Sequence, residues 1–209
     1  MENINLLKKN VAEYMSLLCE RGLTTILGGN ISCRTKNGMI ITPSSINKLK
    51  LIDTDIIEMD FSGNILEGQY KPSIEHRIHS CIYQARPDVN AIIHAHSFYA
   101  TLFSIIDKEI NIEITAESAK NIGIIGVANY ATMGTEALAN GLVPKVKKHN
   151  VVLMKNHGII STGEDLLQAF YRLEIAEQTA RLTYYSTGIP CTTISSNDLE
   201  NYLRKKDSK

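Results

Sequence analysis

The stretch Asn90-Ala91-Ile92-Ile93-His94-Ala95-His96-Ser97 constrains this chain more than any other. A short apolar run bounded by the Arg86-Pro87-Asp88 break and by Ser97 reads as a buried strand. Side chains alternate faces along a strand, so residues i and i+2 leave the same face. His94 and His96 therefore emerge together near the strand's C-terminal end. They could share one metal ion, or stand there as two polar groups at a strand end. On the first reading the rest of the chain completes the metal site and delivers a substrate to it.

Bulk properties remove several alternatives. Lys+Arg and Asp+Glu number 22 each, so no net basic field exists to recruit nucleic acid or anionic lipid. The first twenty residues carry Glu2, Lys8, Lys9, Glu13 and Glu20, which suits neither a signal peptide nor a membrane span. Cys19, Cys33, Cys81 and Cys191 are scattered without a CxxC pair and read as reduced thiols, which points to the cytoplasm. At 209 residues the chain suits one domain, 1–209.

Taken in order, residues 4–21 have the apolar spacing of an amphipathic helix, ended by Gly22. Residues 24–42 are strand-like, with turn signals at Gly28-Gly29-Asn30 and Asn37-Gly38, and 55–66 read as a hairpin about Ser62-Gly63-Asn64. Pro72 is placed to start a helix over 73–84, with Glu75 in its first turn. A short helix follows the histidine strand at 98–105. The segment 110–128 suggests strands at both ends and a short helix at 118–122. A helix over 135–148, a strand over 151–154 that 158–161 could continue past His157, and a long amphipathic helix over 165–186 complete the order. The tail beyond Gly188, ending in Arg204-Lys205-Lys206, reads as loosely ordered. The expected class is mixed α/β of the α+β type: a central, mainly antiparallel sheet covered by helices.

A third neutral imidazole would complete a catalytic zinc site, which keeps one position open. Asn156-His157-Gly158, ending an apolar strand, is the best source, since glycine permits close backbone approach. His149, among lysines, reads as structural or exposed. Glu75 reads either as a carboxylate favoured by the helix dipole, or as a base or a displaceable ligand. The turns Gly28-Gly29-Asn30-Ile31-Ser32 and Thr42-Pro43-Ser44-Ser45, with Ser73, offer hydroxyls and backbone N–H groups that can cradle an anion without any lysine.

Assembled, these pieces resemble the class II, zinc-dependent sugar-phosphate aldolases, the family that includes L-fuculose-phosphate aldolase and L-ribulose-5-phosphate 4-epimerase. The resemblance runs over about 6–186. It rests on Gly28-Gly29-Asn30-Ile31-Ser32, Ile41-Thr42-Pro43-Ser44, Lys71-Pro72-Ser73-Ile74-Glu75, Arg86-Pro87-Asp88 with His94-Ala95-His96, Tyr130-Ala131-Thr132-Met133-Gly134-Thr135, and Asn156-His157-Gly158. It implies a three-layer class II aldolase-like fold and a homotetramer with active sites between subunits. It also implies zinc on His94, His96 and His157, and Glu75 as a catalytic carboxylate that can bind the metal before substrate arrives. Phosphate would rest against Gly29, Asn30, Ser44, Ser45 and Ser73. The implied reaction is retro-aldol cleavage of a ketose 1-phosphate to dihydroxyacetone phosphate and an aldehyde. Pentulose-5-phosphate 4-epimerisation, methylthioribulose-1-phosphate dehydration and a non-catalytic module like the adducin head are alternatives on the same scaffold. Three departures fall in the substrate pocket and spare the metal set. Ile74 replaces a serine, Ser45 a glycine, and Thr115 stands where the family's tyrosine acid falls, leaving Glu117 or Tyr130 as general acid.

Overall fold

The structure is a computed structural model and describes residues 4–195 and 197–201. Helix α1 (Ile4–Glu20) buries Val11, Met15 and Leu18, one stripe at helical spacing. It closes as expected at Gly22 (φ 67°), where Leu23 N–H reaches the Leu18 carbonyl and Gly22 N–H that of Cys19.

Eight strands follow: β1 (Asn30–Thr35), β2 (Gly38–Ile41), β3 (Ile57–Met59), β4 (Ile65–Glu67), β5 (Ala91–Ala95), β6 (Gly126–Ala128), β7 (Val151–Met154) and β8 (Gly158–Gly163). They form one sheet in the order β4-β3-β2-β1-β5-β8-β7-β6, antiparallel except where β6 runs parallel to β7. The β1–β2 hairpin sits where Asn37-Gly38 places it. Gly38 itself belongs to β2, where a Cβ would come within 2.2 Å of the Met59 carbonyl oxygen.

Helices α3 (Phe98–Ile105) and α6 (Leu166–Ser186) join α1 on one face of the sheet, over Ile31, Cys33, Ile93, Ala95, Leu153 and Ile159. Helices α2 (His76–Ala85) and α5 (Glu136–Val146) cover the other face, over Ile41, Ile57, Ile92, Val152 and Ile160. The result is the expected three-layer α/β fold. The alternation along β5 gives Ile93 to the first core and Ile92 to the second, so His94 and its cross-strand neighbour Asn30 face the α2 side. Helix α4 (Ala116–Asn121) packs against α6.

Several expectations are corrected. Helix α2 begins at His76 rather than Ser73, because Pro72 pairs across from Pro43 and Ser73 N–H donates to the Thr42 carbonyl, which holds that segment extended. Glu75 is therefore the residue capping the helix, not a member of its first turn. Residues 158–161 do not continue β7. The chain reverses through Lys155-Asn156-His157, with Asn156 at φ 56°, and β8 returns antiparallel with Met154 opposite Gly158. The first part of 110–128 forms a 3₁₀ turn (Ile112–Ile114) instead of a strand. Beyond Gly188 the chain is exposed as far as residue 195 except at half-buried Ile194, whose N–H donates to the Glu113 carbonyl, and 197–201 are helical. Arg204-Lys205-Lys206 lie outside the described residues. Among the described residues no helix is long and apolar enough to cross a membrane.

Candidate metal centre

The C-terminal end of β5 and the turn between β7 and β8 meet at one point. Their imidazole nitrogens from His94, His96 and His157 all lie within 4.8 Å of one another. The rings pack edge-on or tilted at centroid separations of 4.7, 4.7 and 5.4 Å. His94 Nδ1 lies 3.0 Å from the Ile159 carbonyl, an acceptor only, so Nδ1 carries the proton and Nε2 keeps its lone pair. That lone pair faces His96 Nε2 at 3.0 Å.

Burial keeps these rings neutral. It pushes His94 down to about 3 and His157 to about 4, and lowers His96 as well. The neighbouring imidazoles push His94 and His157 the same way, whereas the Glu75 carboxylate opposes the shift in His96 and His157. Neutral imidazole is the metal-binding form.

Glu75, 4% exposed, joins the cluster from the start of α2. Its Oε2 is 3.2 Å from His94 Nε2, and its Oε1 is 3.3 Å from His157 Nε2. Asn30 Nδ2 donates to Oε2 at 2.9 Å and so fixes the carboxylate. Glu75 Oε1 and both ring nitrogens of His157 are buried without a hydrogen-bond partner among the described residues. Three neutral imidazoles and a carboxylate thus converge with lone pairs unmet. This donor set fits a divalent cation with three nitrogen ligands and an open position.

Glycines make the convergence sterically allowed. A Cβ on Gly158 would sit 2.5 Å from the Ala95 carbonyl oxygen and 2.9 Å from the His96 ring. One on Gly29 (φ 67°) would sit 2.8 Å from the His94 carbonyl oxygen. Beneath the cluster lies a polar layer with no signal in the sequence. His79 Nδ1 pairs with Ser32 Oγ at 2.6 Å, and Ser32 Oγ with the Tyr83 hydroxyl at 2.8 Å. These partners come from β1 and α2, and linear spacing cannot reveal that they meet.

The turns expected to cradle an anion lie near one another. Thr42 links to Ile31 through both its backbone N–H and its hydroxyl, and its carbonyl accepts from Ser73 N–H. Ser44 N–H donates to the Lys71 carbonyl, and Ser45 adopts φ 58°, a left-handed conformation that glycine takes most readily. Asn30 and Ser73 are each hydrogen-bonded to Glu75, Ser73 through its Oγ, which accepts from Glu75 N–H, and Thr42 and Ser44 tie the neighbouring turn to Ser73 and Lys71. The two general-acid candidates separate. Tyr130 follows β6, whose end abuts the β7–β8 turn through Lys155 N–H to the Ala128 carbonyl, and it is 63% exposed. Glu117 lies on α4, accepting from the Tyr171 hydroxyl of α6 at 2.6 Å. A cavity of about 630 Å³ opens at the far end of the sheet, between Arg86, His149 and Arg172, and none of the clustered histidines lines it.

The family model for the Class II Aldolase and Adducin N-terminal domain matches residues 9–184. An L-fuculose phosphate aldolase of Methanocaldococcus jannaschii is 35% identical over 176 residues, covering 84% of this chain and 94% of that protein. The L-fuculose phosphate aldolase of Escherichia coli is 31% identical over 203 residues, covering 96% and 94%. A solved L-fuculose 1-phosphate aldolase superposes with a TM-score of 0.88 at 33% identity, over 96% of this chain and 95% of that one. The chain belongs to the Class II Aldolase and Adducin N-terminal domain family, and within it to the class II aldolases.

Proposed function

We propose that the chain is a zinc-dependent lyase that cleaves a ketose 1-phosphate, of the L-fuculose 1-phosphate kind, to dihydroxyacetone phosphate and an aldehyde. One observation carries this reading: three neutral imidazoles and an oriented carboxylate converge beside Ser73, whose segment is tied to the Thr42–Ser45 turn. His94, His96 and His157 would hold one divalent ion per chain, and Glu75 could join them before substrate enters. Held there, a divalent ion would supply the positive charge that stabilises the oxygens turning negative as the carbon–carbon bond breaks. Glu75, pinned through Oε2 by Asn30, keeps Oε1 free to move the proton on the carbon beside the carbonyl. Gly29, Asn30, Ser44, Ser45 and Ser73 receive the phosphate. Tyr130 is the favoured acid for the departing aldehyde oxygen, because it rises at the histidine end of the sheet while Glu117 is engaged with Tyr171.

The segments flanking the site leave large apolar side chains in solvent: Ile26, Leu27, Ile74, Phe98, Tyr130 and Met133. A rim of that kind is suited to burial against another copy, which supports a homotetramer with sites between subunits. The scattered cysteines, none in a disulfide among the described residues, suit a cytoplasmic setting. The test is a panel of ketose 1- and 5-phosphates with coupled detection of dihydroxyacetone phosphate. Release from a ketose 1-phosphate is the expected result. Turnover confined to a pentulose 5-phosphate without fragment release, or to loss of water, would reassign the site to epimerisation or dehydration.

A further inference from the structure

The anion-receiving turns carry no cationic side chain of their own, yet a lysine lies underneath them. Lys48 is 2% exposed and opens a 3₁₀ turn (Lys48–Lys50) capped by Asn47. Its backbone N–H donates to the Ile26 carbonyl, and its Nζ donates to the carbonyl of Pro43. An ammonium is costly to bury, and among the described residues no carboxylate forms an ion pair with this one. Burial pushes it down to about 8, and the Cys19 side chain acts in the opposite direction. If the position needed only packing, a methionine would fill it without that cost.

The place of the contact supplies a reason for the charge. Pro43 is flanked by Thr42, which ties β1 to Ser73, and by Ser44, which is bonded to Lys71. Ser45, two residues on, holds a left-handed backbone that a serine adopts only when its surroundings impose it. Lys48 thus grips the peptide at the centre of this lattice, from the side away from solvent.

We propose that Lys48 is a positioning residue of the phosphate subsite: seated on the Pro43 carbonyl, it holds turn 42–45 in its anion-receiving form and supplies the positive charge that the turn's own side chains lack. This rests on the functional reading above, which places a phosphate against Ser44, Ser45 and Ser73. The experiment uses the metal-loaded protein, with inorganic phosphate as the calorimetric probe and a ketose 1-phosphate turned over by the wild type as substrate. Lys48→Met is expected to weaken phosphate binding at least tenfold and raise KM by a similar factor. The fall in kcat stays within about threefold and metal content is unchanged, a split that general loss of structure would not give. Lys48→Gln, which keeps a donor but no charge, falls between the two.

Phosphate affinity in Lys48→Met within twofold of wild type overturns the assignment of Lys48 and leaves the functional reading standing. A wild-type protein with no affinity for phosphate overturns both. If the variants do not fold, ¹⁵N-lysine NMR of the wild type decides. The Lys48 Nζ resonance moves on saturation with phosphate if the assignment holds, and an unmoved resonance refutes it.

Discussion

At the scale of single residues, the site depends on how Glu75 is held. Asn30 occupies one carboxylate oxygen and leaves the other beside His157. Glu75→Gln is expected to keep the metal on its imidazoles while kcat falls at least ~100-fold, the range for loss of a general base. Unchanged kcat would remove Glu75 from the chemistry. Gly158→Ala tests the packing, because the added methyl must displace the Ala95 carbonyl or the His96 ring. We expect at least a tenfold loss of metal affinity, read by competition with a chromogenic chelator. His94 and His96 were legible in the sequence because strand alternation is a short-range rule. The Asn30–Glu75 contact was not, since it joins positions 45 residues apart. The same is true of the Ser32–His79–Tyr83 layer.

At the scale of elements, β1 and the end of α2 are joined by Arg34. Its guanidinium donates to the carbonyls of Tyr83, Arg86 and Val89 and lies 4.7 Å over the Tyr83 ring. Arg34→Met leaves the Tyr83 and Val89 carbonyls without this donor, while the Arg86 carbonyl keeps Val89 N–H, and should destabilise the fold by roughly 2 kcal/mol, since each unsatisfied buried acceptor costs about 1–3 kcal/mol before water repairs part of it. Urea unfolding would read this as a lower midpoint at unchanged slope, and an unaltered midpoint would count against the link. Element types were largely legible, from helical periodicity in α1 and α6 and from the Asn37-Gly38 and Ser62-Gly63-Asn64 turns. Boundaries failed where tertiary hydrogen bonds overrode local preference. Pro72 favours a helix start, but the bridge to Pro43 delays α2 to His76. At β7–β8 the left-handed Asn156 turns the chain back, and this reversal points His157 at the pair on β5.

At the scale of the whole molecule, the sheet order is the part least visible in the sequence. β5 is inserted between β1 and β8, so the centre of the sheet is built from pairings far apart in the chain. No local pattern specifies that order. The buried histidines give the assembled fold a pH signature. His79 and His94 are held at about 3 and His157 at about 4, chiefly by burial, whereas an unfolded chain protonates histidine near 6.5. The unfolded state therefore binds more protons between these values, and stability rises with pH across that window. It is fully present above about 6.5 and is lost as pH falls towards 4 and then 3. Chelator-treated protein should show a flat Tm from pH 7 to 8 and a progressive fall below about 6.5. A Tm independent of pH down to 4.5 would mean that these rings are not shielded in the folded state.

The most direct test of the central claim follows metal and activity together. The protein is stripped with a strong chelator, dialysed, and titrated with Zn²⁺, while bound metal and ketose 1-phosphate cleavage are measured in the same samples. Negligible cleavage is expected after stripping, with recovery that saturates at one ion per chain and neither recovered in His157→Ala. Full activity in the stripped protein, or one tightly bound ion per chain in His157→Ala, would contradict that claim.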